Sequence, residues 1–514
     1  MKNPILWMDY PDPDVIRVGN TWYMINTTMH LMPGGEILRS GDLTHWEHVT
    51  WLYEVLEDSP GARLEDGKGI YSAGMWAATL RYHSGRFYVI FVSNDTREQD
   101  VSFLFTAENI EGPWEKRKIN GFYHDCSLLF DEDRAYIVSG NGQLRLTEML
   151  PDLSGPKPGG IDKIIVTDTD YVGLKCEGAH FYKINGKYYI FGIHWLKYGS
   201  KRRTEVCYIA DHVDGPYAGN NVLDDDMGYH NAGVAQGALT DTPDGRWFAM
   251  LFQDHGAVGR VPVLMPVIWD GEWPVFGNNG KVPLHIETGY EDPQRIYAPL
   301  YGSDGFDYAP GESLKSYWQW NHIPDPEGWS LTECPGKLRI RSRKTVKDIQ
   351  LASNMLGQRC VGPRCEADVL MDCSVLKDGD RAGLCVMQGL YAWIGVACEN
   401  SKRYLVMVER DPEKKDKTSG TGAERVRIPL DGNTVRLKAR CDFEDNRDIV
   451  EFLWLDGNEW KTLGPEHKLL YTLEHFMGAR LCLFMYSEKE TGGWADFDDF
   501  RLTVDPEEAL PGSN

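Results

Sequence analysis

Three carboxylates in this sequence are placed where they could do chemistry together. Asp12 lies in "DYPDPDVIRVG", Asp125 in "HDCSLLFDEDRAYIV" and Glu177 in "CEGAHFYKINGKYYIF". Each opens an apolar, strand-like run. Trp76 in "MWAATLRYHSGRFYVIFV" and Gln236 in "AQGALTDTPDG" hold the same place in two similar stretches. If these places converge in space, acids from distant parts of the chain share one aromatic-lined funnel. Such a set suits hydrolysis of a glycosidic bond. One carboxyl must be protonated to assist the leaving oxygen, and one must be ionised to activate water. A third can hold the pair in opposite states through its charge and hydrogen bonds. The plainer reading is chance, since 77 of 514 residues are acidic; acids at three of five matching places argue against it.

What must position these residues is a repeated β-meander. Long helical periodicity is absent, and short alternating runs bounded by Gly, Asn or Asp turns dominate, which predicts an all-β protein. The stretches that start at Val15, Trp76, Asp125, Glu177 and Gln236 share one order: polar start, apolar strand, short turn, aromatic-rich strand. Several continue to a closing turn, as in "SGDLTHWEHV", "AENIEGPWEK" and "ADHVDGPYAG". A period of roughly 50 to 60 residues is that of a propeller blade. A five-bladed β-propeller would fill residues 1–300. Its inner strands start near the axis, which brings the repeat-initial residues to one funnel.

Residues 301–316, "YGSDGFDYAPGESLKS", read as a linker. Residues 317–514 lack the blade period but are rich in strand-like runs, which predicts a C-terminal β-sandwich of jelly-roll type. The composition agrees, with 53 glycines, 17 tryptophans and 25 tyrosines. A formal charge of −23 argues against nucleic acid and acidic membranes as partners. No apolar stretch has signal-peptide or transmembrane length, so a cytoplasmic location is expected. The 11 cysteines are odd in number and mostly sit in apolar runs (Cys207, Cys385, Cys398, Cys482), so free thiols are expected. Cys360 and Cys365 are spaced C-x4-C with no matching second pair or nearby His, which argues against zinc.

In chain order, "YPDPDVIRVGNTWYMINTTMH", "MWAATLRYHSGRFYVIFV", "HDCSLLFDEDRAYIV", "CEGAHFYKINGKYYIF" and "GAVGRVPVLMPVIWDGEWPVF" resemble glycoside hydrolase family 43, the five-bladed propellers that include β-xylosidases and α-L-arabinofuranosidases. The C-terminal part, from "WQWNHIPDPEGWSLTE" through "KDGDRAGLCVMQGLYAWIGV", resembles the β-sandwich that many members carry. The resemblance implies that Asp12 is the general base, Glu177 the general acid and Asp125 the residue that tunes and orients the acid. It also implies inversion at the anomeric carbon. Arg260 in "VGRVP" would contact the sugar, Trp76 would wall the funnel, and Met29 and His30 would form its lip. Read without the resemblance, Arg260 pairs with the many acids, Trp76 is core, and His30 is a turn histidine. Asp9 and Asp14, beside the base, read as turn or capping residues.

Relatives carry a His at the start of the fifth blade that helps hold a cation on the axis. Gln236 stands there in this chain, with His230 nearby, and Gln is an oxygen ligand for Ca²⁺. "WADFDDF" offers Asp496, Asp498 and Asp499 for a structural Ca²⁺, or simply a solvated strand edge. The chemistry itself calls for no cofactor. The expected function is exo-acting, inverting release of terminal xylose from short xylo-oligosaccharides, with α-L-arabinofuranosidase or a bifunctional enzyme as the alternative. A non-catalytic sugar-binding propeller should lack one of the three acids, and none is missing. The stretch from Gln388 to Trp393 is expected either to reach over the funnel mouth or to be a buried sandwich strand. A homo-oligomer is compatible with the sequence.

Overall fold

Ser84-Gly85 and Asn185-Gly186 each join two antiparallel strands, and both residues of each pair have positive φ. Turns of that kind match the twist of the strands they connect. They recur because the chain is a succession of meanders. The protein was analysed as a computed structural model, which describes residues 1–93, 101–410 and 421–505.

Five four-stranded antiparallel sheets follow one another, each in sequence order. Blade 1 comprises Asp14–Val18, Thr21–Ile25, Gly34–Ser40 and Glu47–Tyr53. Blades 2 to 5 begin with the inner strands Met75–His83, Ser127–Asp131, Glu177–Ile184 and Ala235–Asp241. Each inner strand packs beside the next, and the fifth returns to the first, which closes a five-bladed propeller. The chain start laces the ring shut. The Ile5 N–H donates to the Pro262 carbonyl at 3.1 Å and the Tyr10 N–H to the Arg260 carbonyl at 2.9 Å. Asp14 staples blade 1 to blade 2, accepting from the Leu80 N–H at 2.7 Å and Arg81 Nη1 at 2.8 Å. Between blades lie layers of large side chains such as Phe91, Phe103 and Phe105, which are buried as the alternating patterns required.

Two further sheets of eight strands face each other as a β-sandwich. One contains Gln319–Asn321, Leu356–Arg359, Arg480–Ser487, Asp380–Met387 and Ala392–Glu399. The other is centred on Trp494–Val504, Arg364–Asp372 and Thr434–Asp442. The first sheet borrows its edge from the propeller: Leu31–Met32 pairs with Gln319–Asn321. That covers an edge which would otherwise present unpaired backbone groups. The run 301–316 forms no strand of length, yet it is no free tether. Asp304 bridges to Phe500, accepts from Trp318 Nε1 at 2.9 Å, and leaves Phe306 fully buried.

All eleven cysteines are free, and ten are buried. Cys365 stands opposite Cys441 on the neighbouring strand, and Cys360 joins them, so the three sulfurs lie within 4.8 Å of one another. Sequence spacing shows the first two sulfurs but not the third, which arrives by strand pairing.

Candidate active site

The inner strand of each blade runs away from one face of the propeller and the second strand returns to it. That face is therefore walled by the links entering inner strands and those leaving second strands. Asp12, Asp125 and Gln236 all sit at inner-strand starts with φ of 53°, 46° and 60°, and Gly178, next to Glu177, has φ of 66°. The left-handed backbone recurs at the same blade position although only one of the four is glycine. Such conformations cost about 1–3 kcal/mol for other residues and cluster at functional sites. β-Bulges mark the same places in blades 2, 4 and 5, at Met75/Ala78, Glu177/His180 and Ala235/Gly237. Bulges re-aim side chains.

Asp12 is 5 % exposed. Its Oδ1 accepts from Arg260 Nη1 at 2.6 Å and its Oδ2 from Thr27 Oγ1 at 2.6 Å. Burial works against the Arg260 charge, but Asp12, Tyr471 and Asp9 outweigh it and hold the guanidinium more firmly protonated than usual. A carboxylate salt-bridged in this way is the form that takes a proton from water.

Asp125 and Glu177 face each other differently. Their oxygens and His124 Nε2 all lie within 4.8 Å of one another. His124 Nε2 is 3.5 Å from Glu177 Oε2 and 3.7 Å from Asp125 Oδ2. Asn141 Nδ2 donates to Glu177 Oε2, and the Gly178 N–H donates to Asp125 Oδ2 at 3.1 Å. Burial pushes Asp125 up to about 7; His124 opposes the shift, and the Glu177 and Asp12 charges add to it. The Asp125 carboxyl therefore retains its proton into the neutral range.

Trp76 and Arg260 stand at the site. Trp76 contacts the edge of His124 at 5.6 Å between ring centroids and donates from Nε1 to the Ser72 carbonyl at 3.3 Å. The lip assignment of Met29 and His30 is corrected. Met29 is 1 % exposed and packs behind Trp76 with Leu31 and Met477. His30 is fully buried, bonds Asn321 Oδ1 at 3.0 Å and meets the rings of Tyr71, His322 and His475. Burial, with His322 and His475 alongside, pushes His30 well down, so it is neutral. The cause is local: Leu31–Met32 is drawn into the sandwich sheet and takes its neighbours with it. Asp9 also bridges the two parts, accepting from the Arg260 N–H at 2.8 Å and the Gly478 N–H at 2.7 Å.

The two cation readings fare differently from the acids. The Gln236 N–H donates to Glu205 Oε2 at 2.7 Å, and its side chain lies against Gly178. Burial pushes Glu205 up to about 8, toward the neutral acid. Asp496 is committed to Arg339 through two hydrogen bonds of 2.6 and 2.7 Å, and Asp499 to Arg436 and Arg501. Asp496 and Asp499 are thus each held by arginines rather than left as free carboxylates.

Sequence reasoning passes over Phe476, His124 and Asn141. Phe476, from the sandwich, lies 4.9 Å from the Arg260 guanidinium, ring centroid to carbon. It has no local signal, since only the fold brings it there. His124 precedes Asp125, and Asn141 lies in the next link on the same face, so blade geometry could have found both. The stretch from Gln388 to Trp393 does both things expected of it in part. Gln388 reaches the propeller, donating to the Ala257 carbonyl at 3.1 Å, while Tyr391 and Trp393 are buried in the sandwich.

Acids gathered at the mouth of a five-bladed propeller that carries a β-sandwich define a carboxylate-based glycoside hydrolase. The chain belongs to glycosyl hydrolases family 43, which matches residues 1–274, and residues 303–503 match the β-xylosidase C-terminal concanavalin A-like domain. It is 31% identical, over 563 aligned positions, to a β-xylosidase of Formosa agariphila, covering 98% of this chain and 90% of that one. It is 29% identical over 410 positions to the non-reducing end α-L-arabinofuranosidase BoGH43B of Bacteroides ovatus, covering 75% and 73%. A solved bifunctional GH43-CE protein of Bacteroides eggerthii shares 42% identity at a TM-score of 0.89 over 98% of this chain; the chain spans 63% of that protein's length.

Proposed function

We propose that this enzyme removes the terminal xylose of short xylo-oligosaccharides, as an inverting β-1,4-xylosidase. Asp12 deprotonates water and Glu177 protonates the leaving oxygen. Asp125, beside Glu177 and itself pushed up to about 7, tunes and orients the acid. The observation that carries the reading is the contrast of partners: Asp12 is bound to Arg260, whereas Asp125 and Glu177 face each other. An inverting pair stands roughly 6.5–9.5 Å apart to admit water, so two acids within 4.8 Å are not base and acid to one another. That leaves Asp12 for the base. Proton transfer between carboxylates, water and sugar needs no cofactor. Arg260 and Trp76 are assigned to the sugar of the innermost subsite.

The Formosa agariphila relative supports xyloside as the substrate class. The Bacteroides ovatus relative favours a second reading, removal of α-L-arabinofuranose, since the two pentoses place reacting groups alike. Rates on nitrophenyl β-D-xyloside and nitrophenyl α-L-arabinofuranoside, measured side by side, separate them. A higher kcat/KM on the xyloside is expected. Glu177→Gln should lose about 10²–10⁴-fold in kcat while still binding xylobiose. Turnover at the wild-type rate in that variant would remove Glu177 from the acid role.

A further inference from the structure

We infer that the mouth of blades 3 and 4 is a binding platform for the leaving-group end of the substrate: Phe122, Trp195 and Tyr198 stack the sugar rings that follow the scissile bond. This rests on the proposed role of Glu177 as general acid. A general acid stands beside the glycosidic oxygen, so the departing chain must run out over the side of the funnel that carries it.

The funnel is closed on the other side. The sandwich touches blades 5 and 1 through Phe476 on Arg260, Gly478 on Asp9 and Gln388 on Ala257. It meets the link into blade 2 through Tyr71, which donates to the Gln350 carbonyl, and the link into blade 5 through His230 and Asp445 at 2.7 Å. Among the described residues, the hydrogen bonds of 168–176 and 195–203 stay within the propeller.

Beside those links the exposed aromatic rings gather. Four large aromatic side chains are exposed among the described residues: Tyr82, Phe122, Trp195 and Tyr198, at 44%, 44%, 38% and 79%. Three of them stand on this rim. Register ties them to the acid. Ile193 lies opposite Glu177, and its strand runs on to Trp195. The Val172 N–H donates to the Trp195 carbonyl at 2.7 Å, and the Trp195 N–H to the Leu174 carbonyl at 3.1 Å. Those bonds clip the strand end to the link that delivers Glu177. Gly173, at φ of 90°, lets the Trp195 ring lie over its backbone; a Cβ there would stand 3.1 Å from Trp195 Cε3. On the blade 3 side, Phe122 stacks on His124 at 6.4 Å, and His124 is 3.5 Å from Glu177. Exposed flat rings fixed by backbone contacts are what apolar sugar faces stack on, and they hold their place at little conformational cost. Lys197 and Lys175 add donors for ring hydroxyls, with Nζ 5.8 Å from the Tyr198 centroid and 5.9 Å from that of Tyr171.

The test compares xylobiose, which ends one sugar beyond the cut, with xylotetraose, which continues across the rim. Wild-type enzyme and the double variant Trp195→Ala/Tyr198→Ala are assayed on both. The expected result is a fall of roughly 25-fold in kcat/KM for xylotetraose, from about fivefold per lost ring, with xylobiose changed by less than about twofold. The conservative Trp195→Phe/Tyr198→Phe variant should retain most of the tetraose rate, which a merely misfolded rim would not allow. An unchanged tetraose-to-biose ratio, or an equal fall on both substrates, would overturn the platform while leaving the xylosidase reading intact. If the wild type cleaves neither substrate, the xylosidase reading fails and the platform falls with it.

Discussion

Asp12 and Asp125 are the same side chain at the same blade position, each with left-handed φ, yet their surroundings are opposite. Asp12 meets a guanidinium and a hydroxyl. Asp125 meets a second carboxylate, a histidine edge and one backbone N–H. Burial and the neighbouring charges push Asp125 up to about 7. One repeated backbone thus presents two acids to different partners, and the partners, not the acids, decide which is base. The same contrast divides the mouth: the sandwich reaches Arg260 and Asp9 on the Asp12 side, whereas among the described residues the links 168–176 and 195–203 beside Glu177 bond only within the propeller.

The largest expected effect breaks the charged half. Asp12→Asn should lower kcat by at least about 10³-fold on xylobiose, with circular dichroism unchanged. A loss below tenfold would take the base role from Asp12. Next, Asp125→Asn removes the carboxylate beside Glu177. Activity should then fail at lower pH than in the wild type; a shift of about one unit or more is predicted from the pH profile of kcat/KM. A profile that does not move would mean that Asp125 leaves the acid untouched.

The same variant also carries a stability test. Asp125 binds its proton more tightly folded than unfolded, with a folded pKa raised to about 7. Its stabilising contribution is complete below about pH 4 and lost as pH rises through about 7. Asp125→Asn should therefore gain on the wild type between pH 4 and pH 8, by on the order of 1–3 kcal/mol, read as a growing difference in Tm. A constant difference would argue that the site is not strained by charge. The smallest effect probes the cover. Phe476→Ala removes the ring beside Arg260 and should raise KM for xylobiose about 3- to 30-fold with kcat less affected. An unchanged KM would separate the sandwich from substrate binding.

The propeller and the convergence of Asp12, Asp125 and Glu177 were legible because both depend on local repetition: strand alternation, turn chemistry and a matching start in each blade. Trp76 lies against His124, and Arg260 holds Asp12. Met29 and His30 were misread, because a two-residue strand of the propeller is recruited by the sandwich sheet, a pairing that no local pattern announces. Phe476 and Cys441 were invisible for the same reason, since each acts on residues remote in the chain. Asp496 looked free as a ligand only because Arg339, its partner, lies on a strand far away in sequence.

The central claim is that water attacks from the Asp12 side while Glu177 protonates the leaving oxygen. Proton NMR of xylobiose hydrolysis, recorded before the released sugar mutarotates, tests it most directly. The account predicts that α-xylose appears first from the non-reducing end. First appearance of β-xylose would mean a covalent sugar–enzyme intermediate, with one of the closely spaced acids as its nucleophile, and would contradict it.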